Sequence, residues 1–199
     1  SAAPTALAQD PDQAAALADK MGYPVVLKVA SPKILHKTDV GGVKIGVSTP
    51  AEVKSAYINI MESVHRYLPK VIPHGIEIQK MVPKGVELIV GMIRDVQFGP
   101  MIGFGLGGIY VNLIKDVSFR LAHGISHSEI SEMIAETKAY TMLKGYRGEK
   151  PVDIDPVSQV IQRLARLAVD FPEIMEIDIN PVFAYENRVA ALDVKITLS

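Results

Sequence analysis

Between residues 75 and 114 the chain passes through four stretches of strand character with no helical period among them. They are GIEIQKMV, VELIVGMIRD and the two arms of FGPMIGFGLGGIYVNLI. Only short breakers separate them: Pro83-Lys84-Gly85, and a glycine cluster inside the last stretch. A doubly wound parallel sheet needs a crossover, usually a helix, between successive strands. This run therefore commits the chain to largely antiparallel sheet.

Helical signals lie on either side of it. Asp10 reads as an N-cap with Pro11 at the first helical position, and Gly22 closes that helix after Met21. Thr49-Pro50-Ala51-Glu52 is a capping box, with Val53, Ala56, Tyr57, Ile60 and Val64 following at helical spacing. Ser126 and Glu129 open a third helix, expected to reach about Lys138. Asp155-Pro156 opens a fourth, ending near Phe171-Pro172. YPVVLKVA and GGVKIGV read as strands, as do IMEIDINPVFAY and RVAALDVKI at the close. SAAPTALAQ reads as a frayed end or an expression scar. The expected fold is α+β, in two lobes over residues 1–78 and 79–199.

Composition removes whole classes of function. A net charge of -1 argues against a nucleic-acid footprint. No apolar run approaches membrane-spanning length, so a cytoplasmic protein is expected. Cysteine is absent, which excludes a thiolate metal site.

Five constellations could carry chemistry. In MEIDINP, Glu176, Asp178 and Asn180 alternate and so share one strand face, as do Asp193 and Lys195 in LDVKI. A turn centred between Glu186 and Asn187 sets Asn180 opposite Asp193 and Asp178 opposite Lys195. A carboxylate beside an amide carbonyl suits Mg²⁺, which takes one or two protein oxygens plus phosphates; a solvated hairpin face is the alternative. Lys28 ends PVVLK inside an apolar strand, so it needs a partner carboxylate or a bound phosphate. Glu87 sits among large aliphatics, where Lys28 or Lys44 could partner it. Gly103, Gly105 and Gly108 match G-x-G-x-x-G, but strand-like IYVNLI follows where a dinucleotide fingerprint must open a helix. Finally, ILHKTDVGG places His36 just ahead of Gly41-Gly42. There it could be a nucleophile, a general base or a solvated residue.

Taken together, GYPVVLKVASPKILHKTDVGGVKIGV, VPKGVELIVGMIRDVQFGPMIGFGLGGIYVNLIKDVSFRLA, LKGYRGEKPVDI and EIDINPV resemble the ATP-grasp part of ADP-forming acyl-CoA synthetases, a family similar to succinyl-CoA synthetases. The resemblance runs from about residue 12 to the end. It implies an ATP-grasp fold, ATP or ADP with Mg²⁺ as ligands, and a CoA-binding partner subunit or domain carrying its own phosphohistidine. By this resemblance Lys28 holds nucleotide phosphates and Gly41-Gly42 form the glycine loop over them. Residues 79–82 are the hinge, where Gln79 meets the ribose and the backbone of Met81 and Val82 meets adenine. Glu87 and Arg120 also belong to the nucleotide site. Asn180 and Asp193 ligate Mg²⁺, Asp178 steadies the partner's phosphohistidine, and His36 is the second histidine that relays the phosphoryl group.

Two departures from the family pattern stand out. Asn112 occupies the place of an expected glutamate, and the chain starts late, as a trimmed subunit or an excised domain would. The rival to an enzyme is a non-catalytic, synthetase-like regulatory module of a protein acetyltransferase. The presence of His36, Asp178, Asn180 and Asp193 favours the enzyme. An ATP-grasp ligase with another acyl acceptor is a third possibility, disfavoured because such ligases need no relay histidine.

Overall fold

A computed structural model describes residues 3–34, 36–108, 116–146 and 148–199. They form two compact units, one over Ala3–Pro83 and the other running from Lys84 to Ser199. The expected division at 78/79 lies inside a strand of the first unit, β4 (Gly75–Lys80). That strand keeps pairing through Lys80, which sits opposite Val25. The Lys80 ammonium also donates to the carbonyls of Gly22 and Tyr23, both at 2.9 Å.

In the first unit β1 (Thr5–Ala8), β2 (Val25–Ala30), β3 (Val43–Val47) and β4 form an antiparallel sheet ordered β1-β4-β2-β3. α1 (Pro11–Met21) and α2 (Pro50–Tyr67) begin where their caps foretold, and α1 also ends there, before Gly22. Asp10 accepts from the Gln13 N–H, Thr49 from the Glu52 N–H, and Gly22 takes a positive φ of 74°. Their apolar stripes, with Ala14, Ala18, Val53, Ile60 and Val64, form one core with Val25, Leu27, Val29, Ile76 and Ile78. The opposite sheet face carries Lys28, Glu77 and Gln79, because strand side chains alternate.

The N-terminal segment corrects one expectation. Residues 5–8 are not a frayed end but β1, in register with β4 from Thr5↔Gln79 to Ala8↔Ile76. A four-residue stretch with two alanines shows no period of its own. Pairing to an existing strand supplies the order.

The second unit is built on β5 (Val86–Asp95), β6 (Gly99–Leu106), β7 (Val117–Leu121), β8 (Ile174–Tyr185), β9 (Arg188–Ala191) and β10 (Val194–Leu198). The sheet is ordered β10-β8-β5-β6-β7, with β9 also on β8. α5 (Asp155–Asp170) inserts Val157, Ile161, Leu164, Ala165 and Ala168, a helical stripe, into the core formed with Val90, Met92, Ile102 and Phe104.

The helix opened by the Ser126/Glu129 capping box stops earlier than expected. α3 is His127–Ala135, and α4 (Lys138–Leu143) restarts after a break. At the break the buried Thr137 hydroxyl turns back to the Ile134 carbonyl at 2.9 Å. The Lys138 N–H is taken by both carboxylate oxygens of Asp116, at 2.8 and 3.0 Å. A side chain 22 positions upstream thus caps the new helix, which local sequence could not reveal. The strand expected over IYVNLI, and Asn112 within it, lie outside the described residues.

Candidate functional site

The closing hairpin gathers four candidate residues on the sheet face turned away from its helices. Lys195 stands directly opposite Asp178, and the Asn180 N–H donates to the Asp193 carbonyl at 3.2 Å. This is the pairing required by a turn at Glu186 and Asn187. Core-facing positions on β8 are Ile177 and Ile179 before the bulge and Val182 and Ala184 after it, so the alternation slips by one residue at Asn180-Pro181. The same slip appears against β5, where Leu88 pairs Val182 but Val90 pairs Ile179. Opposite it, Leu192 and Asp193 interrupt β9 and β10. The bulge hosts a proline, which cannot serve a regular ladder, and re-aims the side chains beside it.

The electrostatics of this face favour a cation. Asp178 is half-buried, and burial raises its carboxyl above the ordinary aspartate range; Glu176 and Asp193 raise it further, against the lowering influence of Lys195. Among the described residues, no group of three or more His, Cys, Asp or Glu side chains is gathered to cage a metal. An amide oxygen and one carboxylate, with a second carboxylate nearby, instead fit an ion that retains water and phosphate oxygens, as Mg²⁺ does.

In the first unit Lys28 is half-buried on the sheet face away from α1 and α2. Its cross-strand neighbours are Glu77 on β4 and Val43 on β3. Gln79, buried, lies one pair further along the same face, opposite Val26 and Thr5. Hence Lys28 and Gln79 lie on one sheet face, and Glu77 stands between β1 and Lys28. Alternation in IEIQ puts Glu77 beside Gln79, but only the long-range β2–β4 register sets it against Lys28.

His36 is exposed at the start of a 3-10 turn over Lys37–Val40. Gly41 follows in the left-handed region at φ 65°. The two glycines are drawn in against the unit: a Cβ at Gly42 would meet Val29 Cγ1 at 2.5 Å, and one at Gly41 would meet Ser63 Oγ at 2.5 Å. Their N–H groups donate to Lys37 and Thr38 carbonyls at 2.7 and 3.0 Å. Contact between those N–H groups and a phosphate, which the resemblance implies, requires the turn to open. In the stretch expected to be the hinge, the Met81 N–H donates to the Pro24 carbonyl at 3.1 Å, and Val82 follows it, half-buried.

Glu87 is half-buried and has Lys84 of its own unit at 3.8 Å as an ion-pair partner. Its carboxylate occupies the space a Cβ would need at Gly108. Gly103 and Gly105 are strand residues of β6, and a side chain at Gly105 would collide with the Asp116 carbonyl. The cluster therefore serves close backbone approach, not a dinucleotide turn. Arg120 donates to Glu136 at 2.6 Å, to Ser118 Oγ at 3.1 Å and to the Phe119 carbonyl at 2.9 Å. The bond from Arg120, with a second from the Ser118 hydroxyl at 2.5 Å, holds the Glu136 carboxyl below the usual glutamate range. The group lines a shallow cavity of about 470 Å³ with Asp116 and Thr137.

Comparison with known proteins places this geometry in a family. A model of the ATP-grasp domain matches residues 1–198. The β subunit of ADP-forming acetate–CoA ligase I from Pyrococcus furiosus is 48% identical, over 96% of this chain and 82% of its own length. ADP-forming acetate–CoA ligase I of Archaeoglobus fulgidus is also 48% identical over 98% of this chain, which spans only 28% of that longer protein. Among solved structures, an acetyl-coenzyme A synthetase of Ca. Korarchaeum cryptofilum, in complex with coenzyme A and Ca-AMPCP, superposes with a TM-score of 0.95 at 43% identity. It covers 100% of this chain and 86% of its own. These relatives are ligases and synthetases, and they lend no support to a regulatory module.

Proposed function

The chain belongs to the ATP-grasp domain family, and on that premise we propose that it is the nucleotide-binding subunit or domain of an ADP-forming acyl-CoA synthetase. The reaction is acyl-CoA + ADP + phosphate to acid + CoA + ATP, reversibly. The observation that carries this reading is the closing hairpin, with Asn180 against Asp193 and Asp178 against Lys195 on one face. An oxygen-donor pair at a bulge next to a half-buried carboxylate is what magnesium-dependent phosphoryl transfer needs from a protein.

In this reading Asn180 and Asp193 hold Mg²⁺, which when bound neutralises phosphate charge. Lys28 and the Gly41-Gly42 turn meet the nucleotide phosphates. Gln79 meets the ribose and Met81 and Val82 flank adenine, while Glu87 and Arg120 are the second unit's candidates for contact with the nucleotide. A CoA-binding partner subunit or domain, fused in some relatives, delivers a phosphohistidine. Asp178 steadies that imidazole. The neutral His36 imidazole then attacks phosphorus: a new N–P bond forms at His36 as the partner's N–P bond breaks. In the second step a terminal oxygen of ADP attacks the same phosphorus, ATP forms, and His36 is released neutral. Two short transfers replace one long one.

The test is calorimetric titration with ADP, with and without Mg²⁺, on the wild-type chain and on Asp193→Asn. We expect magnesium-dependent binding that the variant loses. Binding that ignores both magnesium and the substitution would defeat the reading.

A further inference from the structure

The sheet of the second unit turns one face to its helices and one face away. On the face turned away, strand register sets residues in cross-strand rows. One row runs Asp178, Gly91, Gly103, Phe119. The next, about 7 Å along the strands, runs Glu176, Ile93, Met101, Leu121. Each row is acidic on β8 and apolar on β7. Ile93, Phe119 and Leu121 are each about half exposed. Past the second row, the β5–β6 turn adds Val96, 96% exposed, and Phe98, 63% exposed. Asp95 holds that turn in shape, its carboxylate accepting from the Gln97 and Phe98 N–H groups at 2.8 and 2.9 Å. Single exposed apolar side chains are ordinary on a surface, but several gathered at one end of one sheet mark an interaction surface.

The place of this surface in the sheet says what covers it. Outward positions on β8 run Asn180, Asp178, Glu176, so Asp178 lies between the metal pair and the apolar end. The row that leads from Asp178 to Phe119 has no side chain at its middle two positions. A Cβ at Gly103 would meet the Phe119 ring at 3.0 Å, so the ring lies over that glycine. At Gly91, beside Asp178, the Ile177 carbonyl at 3.1 Å is the one atom of the described residues within 4 Å of such a Cβ, and the strip is open outward.

We propose that the apolar end of this sheet is where the CoA-binding partner docks, and that the bare strip at Gly91 admits its phosphohistidine segment to Asp178. The inference rests on the reading above that the partner brings a phosphohistidine to Asp178. A partner seated on Ile93, Leu121 and the β5–β6 turn reaches Asp178 from the neighbouring strand and leaves the metal pair open to nucleotide. A second copy of this chain on the same rows would cover the approach to Asp178 and shut the phosphohistidine out.

The test is association with the CoA-binding partner, supplied as a separate chain and followed by calorimetry, with ATP formation from acyl-CoA, ADP and phosphate as a second readout. Two double variants remove the patch: Ile93→Lys with Leu121→Lys, and Val96→Asp with Phe98→Asp on the exposed turn. Each should weaken association by roughly 10- to 100-fold, while Mg-ADP binding and Tm of the chain alone stay near wild type. ATP formation should fall at limiting partner and recover at saturating partner, as a docking role requires. Gly91→Val should keep association and Mg-ADP binding yet lose transfer even at saturating partner. Ile196→Lys, on the other face of edge strand β10, is the control and should change neither readout. Unaltered association in both patch variants overturns the proposal, as does loss caused by Ile196→Lys alone. Patch variants that break up a dimer of this chain and leave the partner's affinity untouched also overturn it, and seat a second copy there. Full transfer in Gly91→Val takes the strip out of the path. If wild type forms ATP with the partner and the patch variants match it throughout, this inference alone fails. If wild type binds no Mg-ADP and forms no ATP, the reading above fails and takes this inference with it.

Discussion

The histidine loop and the closing hairpin both bring chemistry-bearing side chains to a surface, by opposite physical means. On the hairpin, Asp178 and Lys195 are set opposite each other by cross-strand register, and Asn180 and Asp193 meet through a backbone hydrogen bond where the ladder is interrupted. On the loop, His36 is held by a single 3-10 turn whose base is two glycines packed on Val29 and Ser63. The hairpin's backbone is paired on both sides of that interruption. The loop is tethered at one end and exposed at the other. That contrast suits the roles proposed above, a metal site on the hairpin and a relay group on the loop.

The largest expected effect separates binding from transfer. His36→Gln should leave Mg-ADP affinity within about twofold of wild type, yet cut phosphoryl transfer in the partnered enzyme by at least ~10³-fold. Loss of nucleotide binding in that variant would mean that the loop is part of the binding site, and the division of labour would collapse.

Next comes the loop's base. Gly42→Ala places a Cβ against Val29 and the Lys37 carbonyl at 2.7 Å, which cannot give way cheaply. We expect a loss of about 2 kcal/mol, seen as a fall in Tm of about 4–8 °C. Gly103→Ala, on the other unit, meets only the edge of the Phe119 ring at 3.0 Å, which can swing, and should cost less. Equal losses at the two positions would erase the supposed rigidity of the loop's anchor.

A smaller effect probes the hairpin. Lys195→Glu sets like charges directly opposite at Asp178 and should destabilise by about 0.5–1 kcal/mol in denaturant melts without metal, an effect that salt reduces. No change would show that the pair does not constrain Asp178.

The smallest is a pH effect confined to the hairpin's unit. The Glu136 carboxyl is depressed by Arg120 and Ser118, so its contribution is present above the ordinary glutamate range and is lost as pH falls through the lower folded value. Glu136→Gln should therefore flatten the acid limb of stability below about pH 4 and leave the slope near neutrality alone. A changed slope near pH 7 would assign the titration to another group.

Much of the site was legible for a definite reason. A strand has a period of two, so sharing a face follows from spacing alone, and one assumed turn then paired Asn180 with Asp193. Capping residues named where α1, α2 and α3 begin because their hydrogen bonds are local, while α5 starts at Asp155-Pro156 without a side-chain cap. What could not be read were contacts between distant segments. β1 looks like a tail until β4 is beside it, and the break between α3 and α4 needs Asp116 from before the helix. Glu77 looked like one more alternating polar residue. The glycines at Gly41 and Gly42 suggested freedom, while packing against Val29 and Ser63 uses them for close approach.

By itself, the sequence determined the alternation of faces, the helix starts and the kinds of side chain available to a phosphate and a cation. Those properties depend on residues a few positions apart. Only the tertiary structure decided which carboxylate pairs across from Lys28, that a bulge interrupts the ladder beside Asn180 and Asp193, and that Arg120 is already engaged by Glu136. Each of these rests on strand register or on helix packing across long separations. The free energy that selects them is summed over a whole sheet, and no short stretch of residues records it.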